Sequence, residues 1–340
     1  MKQLFLNRNE ILDGPAPKVL EVIRKFNAGH ISRYLGDYYN SLLIPAISKK
    51  LNISPDRVII SYGIEDFLRT AFNQLDKRKD CVLLPKPCYS LYTKYLQHRR
   101  IRISFFELRE GKDEFEFDID AMRTKIRHLK PKIVLITSPN NPTGNSISAS
   151  ELARVSSIVD KNSLILIDQE YLGFDISYRD SKFLTLVRRF PNLVLLRSFS
   201  KLHSLAGLRI GFALCGSKVK DILGYQNYYL GFSRILEEVA MVAMESDAYY
   251  KRIGRRIIKD RERLWTRINK LRNFHAYCSQ ANFLFIKAKG RAKILLKSRL
   301  AQEQVVIAKY IENNFFRVSI GLVPQLKRFY SLLKAIDKSL

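Results

Sequence analysis

Cysteine and histidine are scarce in this chain of 340 residues, and neither is spaced for metal binding. The four cysteines lie far apart without a C-x-x-C pair, and the five histidines form no H-x-x-x-H pair. Zinc sites and disulfide frameworks depend on closely spaced ligands of these types. We therefore expect no metal site and no disulfide, and a reducing, cytoplasmic environment is the default expectation.

Long apolar runs are also missing. No stretch approaches the roughly 20 apolar residues that a membrane-spanning helix needs. The opening MKQLFLNRNE interrupts its apolar residues with charged and amide side chains, so we expect no signal peptide. Hydrophobic residues still make up 46% of the chain and aromatic residues 11%. That composition excludes disorder and is enough for a sizeable core.

Acidic residues are few: 32 Asp and Glu stand against 59 Lys and Arg, which gives a net charge of +27. Such a charge favours anionic partners, among them nucleic acid, membrane surfaces and phosphorylated small molecules. The basic residues are nevertheless spread over many segments, and no helix-turn-helix, RNP-type strand or zinc finger accompanies them. The pattern favours a basic enzyme surface over a nucleic-acid-binding protein on a vestigial enzyme fold, which stays as an alternative.

Short β-branched runs alternate with helical patterns through the first two thirds of the chain. Continuous Val, Ile and Leu runs indicate strands that are covered on both faces. The alternation predicts an α/β fold with a mainly parallel central sheet sandwiched by helices. The predicted strands are 57–63, 81–87, 101–108, 132–140, 163–171, 192–200 and 209–216.

The pattern changes beyond about residue 220, where charged, amphipathic helical sequence is followed by three short strands and a final helix at 324–338. This change predicts a second, smaller α+β domain. We assign residues 1–30 to an N-terminal arm that joins the small domain, 31–230 to a large domain and 231–340 to the small domain. A helix is expected to begin near Pro17.

Polar segments follow nearly every predicted strand: YGIED, PCYSLY, SPNNPTGN, DQEY and SFSK. Ligand groups cluster at the carboxyl ends of strands in such sheets, so one pocket is expected to collect them. Lys201 lies among small and hydroxylated residues there, and a desolvated lysine amine can condense with an aldehyde. Asp168 ends an apolar strand and therefore needs a cationic partner. Arg317 stands alone on an apolar strand, as a carboxylate receptor would.

Together these segments, from LNRNE to FRVSIG, resemble the fold-type I pyridoxal-phosphate enzymes. The similarity is strongest to class I/II aminotransferases, and within them to the histidinol-phosphate aminotransferase family. The resemblance implies the PLP-transferase fold, pyridoxal 5'-phosphate as cofactor, and transfer of an amino group between an amino acid and a keto substrate. Glutamate is the expected donor, and histidinol phosphate with imidazole-acetol phosphate is the candidate substrate pair.

The resemblance also implies roles around the cofactor ring. Lys201 would bond the cofactor aldehyde and later move the substrate's proton as general base. Asp168 would pair with the protonated pyridine nitrogen, and Tyr171 and Asn141 would hydrogen-bond the ring's phenolic oxygen. Tyr89 would stack on the ring, whose flat π-face suits an aromatic side chain.

The cofactor phosphate is the second group with implied partners. Ser198 and Arg209 would hold it, because a guanidinium and a hydroxyl are both strong donors. The backbone of Gly63, Ile64 and Glu65 would add N–H groups at a helix N-terminus. The family's acidic pair follows a Gly-x-Asp-Glu pattern, whereas this chain has Glu65 followed directly by an aspartate.

Two further implied roles concern the partner subunit and the substrate. Tyr34, in a segment similar to the family's arginine–tyrosine motif, would reach the phosphate of the neighbouring subunit, which implies a homodimer. Arg317, together with Asn141, would bind the substrate's α-carboxylate. The family's phosphate-binding arginine falls here on Ala308, or on Lys309 with one residue of slippage.

Substrate identity is therefore less defined than reaction class. A pyridoxal-phosphate decarboxylase of the threonine-phosphate decarboxylase type shares the lysine, phosphate and carboxylate motifs, and it remains the alternative within the fold.

Overall fold

The computed structural model describes residues 3–32, 41–175, 177, 179–224, 231–310 and 314–340, with the side chains of 309 and 310 left out. Within these residues the strands form one sheet of eight and one of five. The strands are β1 (Leu4–Leu6), β2 (Val58–Ser61), β3 (Cys81–Lys86), β4 (Arg102–Glu110), β5 (Phe115–Phe117), β6 (Ile133–Thr137), β7 (Leu164–Asp168), β8 (Leu193–Ser198), β9 (Gly211–Cys215), β10 (Phe274–Ala276), β11 (Phe283–Ala288), β12 (Val305–Tyr310) and β13 (Phe315–Ser319).

Helices surround both sheets. They are α1 (Pro17–Lys25), α2 (Leu43–Leu51), α3 (Ile64–Asn73), α4 (Ser90–His98), α5 (Ile119–Leu129), α6 (Ala149–Ser156), α7 (Asp180–Arg189), α8 (Val219–Leu223), α9 (Arg234–Glu245), α10 (Asp247–Ile268), α11 (Ala292–Gln302) and α12 (Val323–Lys338). Pro17 opens α1, as expected, since a proline at the first helical position gives up an N–H that has no partner within the helix. No helix of the described chain is both long and apolar enough to span a membrane.

The large sheet has the order β2-β9-β8-β7-β6-β3-β4-β5. Strand β9 is antiparallel to both neighbours and β5 to β4, so the other six strands share one direction. All seven strands predicted for this sheet are present, and the mainly parallel α/β arrangement is confirmed. The edge strand β5 was not predicted; its three residues are too few to show a pattern, and a hairpin to β4 forms it.

Burial on both faces explains why the central strands read as continuous apolar runs. Every residue of β7 is buried, and successive side chains alternate between two core clusters. Ile165 and Ile167 point into one cluster, whereas Leu164 and Leu166 point into the other. Each face therefore needs a helical layer, and the charged side chain of Asp168 appears only where the strand ends.

The small sheet has the order β1-β12-β13-β11-β10 and joins the two ends of the chain. Strand β1 pairs in parallel with β12, and Leu4 lies opposite Val305. The three C-terminal strands predicted from the sequence are β11, β12 and β13. The pairing of β1 agrees with an N-terminal arm that belongs to the smaller unit, while the boundaries at 30 and 230 remain a prediction.

Candidate active site

A cavity of about 160 Å³ lies at the carboxyl ends of the central parallel strands, where the polar segments were expected to meet. Most of the site residues predicted from the sequence line it, although they come from several segments that lie far apart in the chain. Its lining consists of Ile64, Glu65, Leu68, Tyr89, Leu91, Tyr92, Thr137, Asn141, Asp168, Glu170, Tyr171, Ser200, Lys201, Ala206 and Arg209.

Asp168 is a buried carboxylate at the base of this cavity. Its Oδ2 accepts a hydrogen bond from the Tyr92 hydroxyl at 2.5 Å, and its Oδ1 accepts one from the Glu170 N–H at 2.9 Å. Burial raises the pKa of Asp168, which the Tyr92 hydrogen bond partly opposes. Among the described residues no Lys, Arg or His nitrogen lies within 4 Å of it, so the site would favour a ligand that brings a cation.

Tyr171 and Asn141 meet above this carboxylate. The Tyr171 hydroxyl accepts hydrogen bonds from the Nδ2 atoms of Asn141 and Asn9, both at 3.1 Å. Burial raises the pKa of Tyr171, so the phenol is held in its neutral form. Tyr171 and Asn141, which were predicted to act together, are thus hydrogen-bonded. Asn9 is a second donor to the Tyr171 hydroxyl and was not predicted from the sequence. The position of Asn9 in the LNRNE segment was the available signal.

Arg317 reaches the same network from the small sheet. Its Nη1 donates to Asn141 Oδ1 at 2.5 Å and its Nη2 to the Asn7 carbonyl at 2.6 Å, while its Nε is buried without a hydrogen-bond partner. The guanidinium also lies over the Phe283 ring, 5.2 Å from the centroid. Asn141 therefore connects the two sheets, and a buried Nε–H is left for a ligand.

Lys201 follows β8 and is partly buried beside the cavity. Its Nζ donates to the Arg8 carbonyl at 3.1 Å. Burial lowers the pKa of Lys201, and the nearby Arg317 and Arg209 add to this effect, whereas Glu170 and Glu10 oppose it. A larger share of the amine is consequently neutral near pH 7, which is the form that attacks carbonyl carbon.

The loop before α3 forms the opposite end of the cavity. Gly63 precedes the helix with a φ of +80°, which a residue with a side chain rarely adopts. A Cβ at this position would lie only 2.7 Å from Arg209 Nη2, so the missing side chain leaves room for the guanidinium. Ile64 and Glu65 begin α3, and the N–H groups of a first turn have no partner inside their helix.

Arg209 lies against this helix terminus, and Ser198 is paired with Gly211 on the neighbouring strand β9. Arg209 Nη2 lies 4.0 Å from a carboxylate oxygen of Glu65, and about half of each side chain is exposed. The hydroxyls of Ser198 and Ser200 are hydrogen-bonded at 2.7 Å, and Ser198 Oγ accepts from the Ser200 N–H at 2.8 Å. A helix terminus, a guanidinium and hydroxyl groups together form a donor set suited to an anion.

Tyr89 lies at the rim, where it precedes α4 and meets the Tyr92 ring edge to face at 5.6 Å between centroids. It is 40% exposed, so one ring face remains available for stacking. Tyr34 lies outside the described residues, and its expected role is not tested. Ala308 lies directly opposite Arg317 in the sheet register, while its correspondence to the family's arginine stays a prediction.

Glu170 is a carboxylate for which the sequence analysis gave no role. It lines the cavity two residues after Asp168, together with Lys201 and Arg209, and its backbone N–H donates to Asp168 Oδ1. Burial raises its pKa to about 7, although the neighbouring Lys201 lowers it. The sequence signal for Glu170 was its place in the DQEY segment, where it is a second acidic residue beside Asp168.

This fold and site define an enzyme of the PLP-transferase type, with a lysine, a buried carboxylate and an anion site around one cavity. The model of the family "Aminotransferase class I and II" matches residues 1–330, and the chain belongs to this family. The family match establishes an aminotransferase that uses pyridoxal 5'-phosphate, as the resemblance implied. It favours this activity over the decarboxylase and nucleic-acid-binding alternatives.

Named relatives agree with the family. Histidinol-phosphate aminotransferase 2 of Archaeoglobus fulgidus is 30% identical over 335 residues, covering 97% of this chain and 92% of the relative. The Methanocaldococcus jannaschii histidinol-phosphate aminotransferase is 28% identical over 337 residues, covering 97% and 88%. The structure of Sinorhizobium meliloti histidinol-phosphate aminotransferase in complex with pyridoxal-5'-phosphate superposes with a TM-score of 0.85 at 20% identity, covering 99% and 91%.

Proposed function

We propose that this aminotransferase binds its cofactor between Asp168 and the Gly63–Arg209 region, with Lys201 as the reactive amine. The observation that carries the proposal is the buried carboxylate of Asp168, which has no Lys, Arg or His nitrogen of the described residues within 4 Å and lines the same cavity as Lys201. The bound cofactor supplies an aldehyde and an electron-accepting pyridinium ring. A pyridinium would provide the positive charge that the buried carboxylate needs.

The residues divide into two groups, which we name by the part of the cofactor each would hold. The ring end comprises Asp168, Asn141, Tyr171 and Arg317, with Tyr89 at its rim. The phosphate end comprises Ser198, Arg209 and the N-terminus of α3 with Gly63, Ile64 and Glu65. Support for this division is the separation of a buried, hydrogen-bonded group from a more exposed cationic one.

Lys201 would act twice. Its Nζ would bond the aldehyde carbon in the resting enzyme, and after the amino acid displaces it, the free Nζ would take the proton from the substrate's Cα and deliver it to the cofactor carbon. The lowered pKa of Lys201 favours the attack on the aldehyde and the removal of the Cα proton, because both require the neutral amine, and the ammonium formed by the removal is the proton donor of the last step. Tyr171 and Asn141 would orient the ring through its phenolic oxygen.

The amino-acid carboxylate would bind Arg317. The guanidinium is fixed by Asn141 and the Asn7 carbonyl, and its Nε–H is buried without a partner. Fixed, planar donors suit a carboxylate better than a lysine does. We propose glutamate as donor and imidazole-acetol phosphate as acceptor, by analogy with the named relatives. Ala308 in place of the family's arginine argues for testing other acceptors as well.

The first test follows the Lys201 covalent bond. Borohydride reduction of the protein incubated with pyridoxal 5'-phosphate, followed by peptide mass spectrometry, should find the adduct on Lys201. The Lys201→Ala variant should lose the adduct and lower kcat at least ~10³-fold, within the range for a lost general base. The Lys86→Ala variant removes a surface lysine paired with Glu107 and serves as control. An adduct on another lysine would contradict the proposal.

The second test separates transamination from decarboxylation. The purified enzyme is incubated with a keto-acid acceptor and, in turn, glutamate, histidinol phosphate or another amino donor, and the keto product and CO2 are quantified together. Transamination gives one keto acid per amino group transferred and no CO2. Stoichiometric CO2 without keto acid would establish the decarboxylase alternative instead.

We also propose a homodimer, which rests on the resemblance that assigns Tyr34 to the neighbouring subunit's phosphate. Mixing the Tyr34→Phe and Lys201→Ala variants tests it, because only a shared site allows one subunit to complement the other. A monomer in sedimentation that retains full activity would remove the assignment.

A further inference from the structure

Asn9 is a buried amide that reaches the ring end from the N-terminal segment. Its Nδ2 donates to the Tyr171 hydroxyl at 3.1 Å, the same distance as the hydrogen bond from Asn141 Nδ2. Asn9 follows β1 of the small sheet, whereas Asn141 follows β6 of the large sheet. The Tyr171 hydroxyl therefore receives one amide donor from the side of each sheet.

The small sheet holds Asn9 in a defined orientation. Ser319 Oγ accepts from the Asn9 backbone N–H and donates to Asn9 Oδ1, both at 2.8 Å. Asn282 Nδ2 donates to the Asn9 carbonyl at 2.9 Å. The backbone of Asn9 has a φ of +55°, in the left-handed region that asparagine adopts more readily than most residues. With its other polar groups paired in this way, Asn9 directs its Nδ2 towards Tyr171.

The hydrogen bonds of the Tyr171 hydroxyl determine what its proton can do. A phenol has one O–H donor and two lone pairs that accept. Asn9 and Asn141 use both acceptor positions, and among the described residues none accepts the proton of Tyr171. Because burial raises the pKa of Tyr171, the proton stays on the phenol. Tyr171 lines the cavity, so this proton is left for a ligand.

We propose that Asn9 is a positioning residue, which acts through Tyr171 by committing the phenol proton to the phenolic oxygen of the cofactor ring. The inference rests on the proposed function, because it takes the ring end as the place of that oxygen. Hydrogen bonds in a chain polarise one another, so the amide of Asn9 also makes the Tyr171 O–H a stronger donor. Asn9 itself contacts neither the ring nor the substrate in this role.

The proton equilibrium of the bound cofactor reports the strength of this donor. The nitrogen that joins Lys201 to the cofactor lies near the phenolic oxygen, and it loses a proton as the pH rises. A hydrogen bond donated to the oxygen stabilises negative charge there and so favours the form without that proton. A weaker Tyr171 donor should therefore raise the pKa of the bound chromophore, which absorbance measures without turnover.

The substitution Asn9→Gly removes the amide and keeps the left-handed backbone, which glycine adopts freely. Holoenzymes of the wild type, Asn9→Gly, Tyr171→Phe and the double variant are titrated over a broad pH range by absorbance of the bound cofactor. Asn52→Gly makes the same substitution at an exposed left-handed residue that ends α2, and it serves as the control.

We expect Asn9→Gly to raise the chromophore pKa by about half a unit, the size that one net hydrogen bond predicts. In the Tyr171→Phe background the same substitution should cause no further shift, because the hydroxyl through which Asn9 acts is gone. Asn52→Gly should titrate as the wild type does. Unfolding free energy is not the readout, since a structural role of Asn9 alone would lower it as well.

Three results overturn the inference. The first is a chromophore pKa of Asn9→Gly equal to that of the wild type. The second is an equal shift with and without the Tyr171 hydroxyl, because Asn9 would then act by another route. The third needs no variant: a neutron structure of the wild-type holoenzyme that shows the Tyr171 deuterium directed at Asn9 and not at the cofactor oxygen. A wild type that binds no chromophore would instead refute the proposed cofactor site itself.

Discussion

The ring end and the phosphate end of the cavity differ in burial and in how completely their polar groups are paired. At the ring end, Asp168, Asn141, Tyr171 and Arg317 are each at most 6% exposed and hydrogen-bond to protein groups. At the phosphate end, about half of the Arg209 side chain is exposed and its nearest carboxylate lies 4.0 Å away.

Solvent access accounts for this difference. Buried polar groups must pair with one another, because leaving one without a hydrogen bond costs about 1–3 kcal/mol of stability. The side chains of the ring end are therefore held in place by their hydrogen bonds before a ligand binds. Water can solvate the groups of the phosphate end, and their arrangement is completed by an anion. Substitutions at the ring end should therefore affect folding and substrate binding together, whereas those at the phosphate end should mainly affect cofactor binding.

Arg317→Lys is the strongest test of the ring end. The lysine cannot reproduce the bonds to Asn141 and the Asn7 carbonyl, and removing such a buried, charged donor set costs about 2–5 kcal/mol. We expect KM for the amino-acid donor to rise at least ~30-fold and the melting temperature to fall. Arg109→Lys alters a surface ion pair with Glu116 and should change neither. An unchanged KM would mean that the carboxylate binds elsewhere.

Gly63→Ala probes the phosphate end. The added Cβ would lie 2.7 Å from Arg209 Nη2, and the φ of +80° is strained for alanine by about 1–3 kcal/mol. We expect the cofactor Kd to rise about tenfold, because the guanidinium is pushed away from the anion site; absorbance titration of cofactor-free enzyme measures it. Gly207→Ala is the matched control, since no atom lies within 4 Å of its Cβ. Equal Kd values for the two variants would contradict the assignment of this end.

His203 lies two residues beyond Lys201, outside the cavity lining. Its ring packs on Phe199 and Tyr250, and burial lowers the pKa of His203 to about 4. Since the ordinary histidine pKa is about 6.5, the unfolded chain binds the proton first as the pH falls. The free energy of unfolding should therefore decrease between pH 6.5 and 4, by up to about 2 kcal/mol at pH 5.

Replacing the His203 imidazole tests whether it causes this decrease in the free energy of unfolding at low pH. We expect His203→Phe to remove that part of the acid sensitivity in chemical denaturation at pH 5, with little change at pH 7.5. His98→Phe removes an exposed imidazole instead and should keep the wild-type pH profile. If the unfolding free energies of wild type and His203→Phe fall in parallel between pH 7.5 and 5, the buried imidazole is not the cause.

The sequence predicted the large sheet well, because strands buried on both faces must be apolar throughout. The cavity lining was predicted for a similar reason: residues such as Asp168 and Lys201 follow strands whose carboxyl ends share one edge. The contacts between the sheets were not predictable in this way. The hydrogen bond from Arg317 to the Asn7 carbonyl depends on the pairing of β1 with β12, and no local sequence pattern predicts that pairing.

Glu170 shows a different limit of the sequence. Its neighbours Asp168 and Tyr171 were recognised by a spacing that leaves the position between them unspecified. Only the structure shows that its side chain lines the cavity together with Lys201 and Arg209. Side-chain direction at a loop position is set by tertiary packing, not by the period of a strand or helix.

Tyr171→Phe should produce the smallest of these effects and separates stability from catalysis at the ring end. Loss of the hydroxyl leaves the Nδ2 groups of Asn9 and Asn141 without this acceptor, at a cost of about 1 kcal/mol. Tyr250→Phe also removes a buried acceptor, from the Ala16 N–H at 3.0 Å, but away from the cavity. Both variants should lose similar unfolding free energy, while only Tyr171→Phe should lower kcat, by several-fold. Equal kcat values for the two would show that the Tyr171 hydroxyl supports the fold alone, because its proposed bond to the cofactor ring would then contribute nothing to turnover.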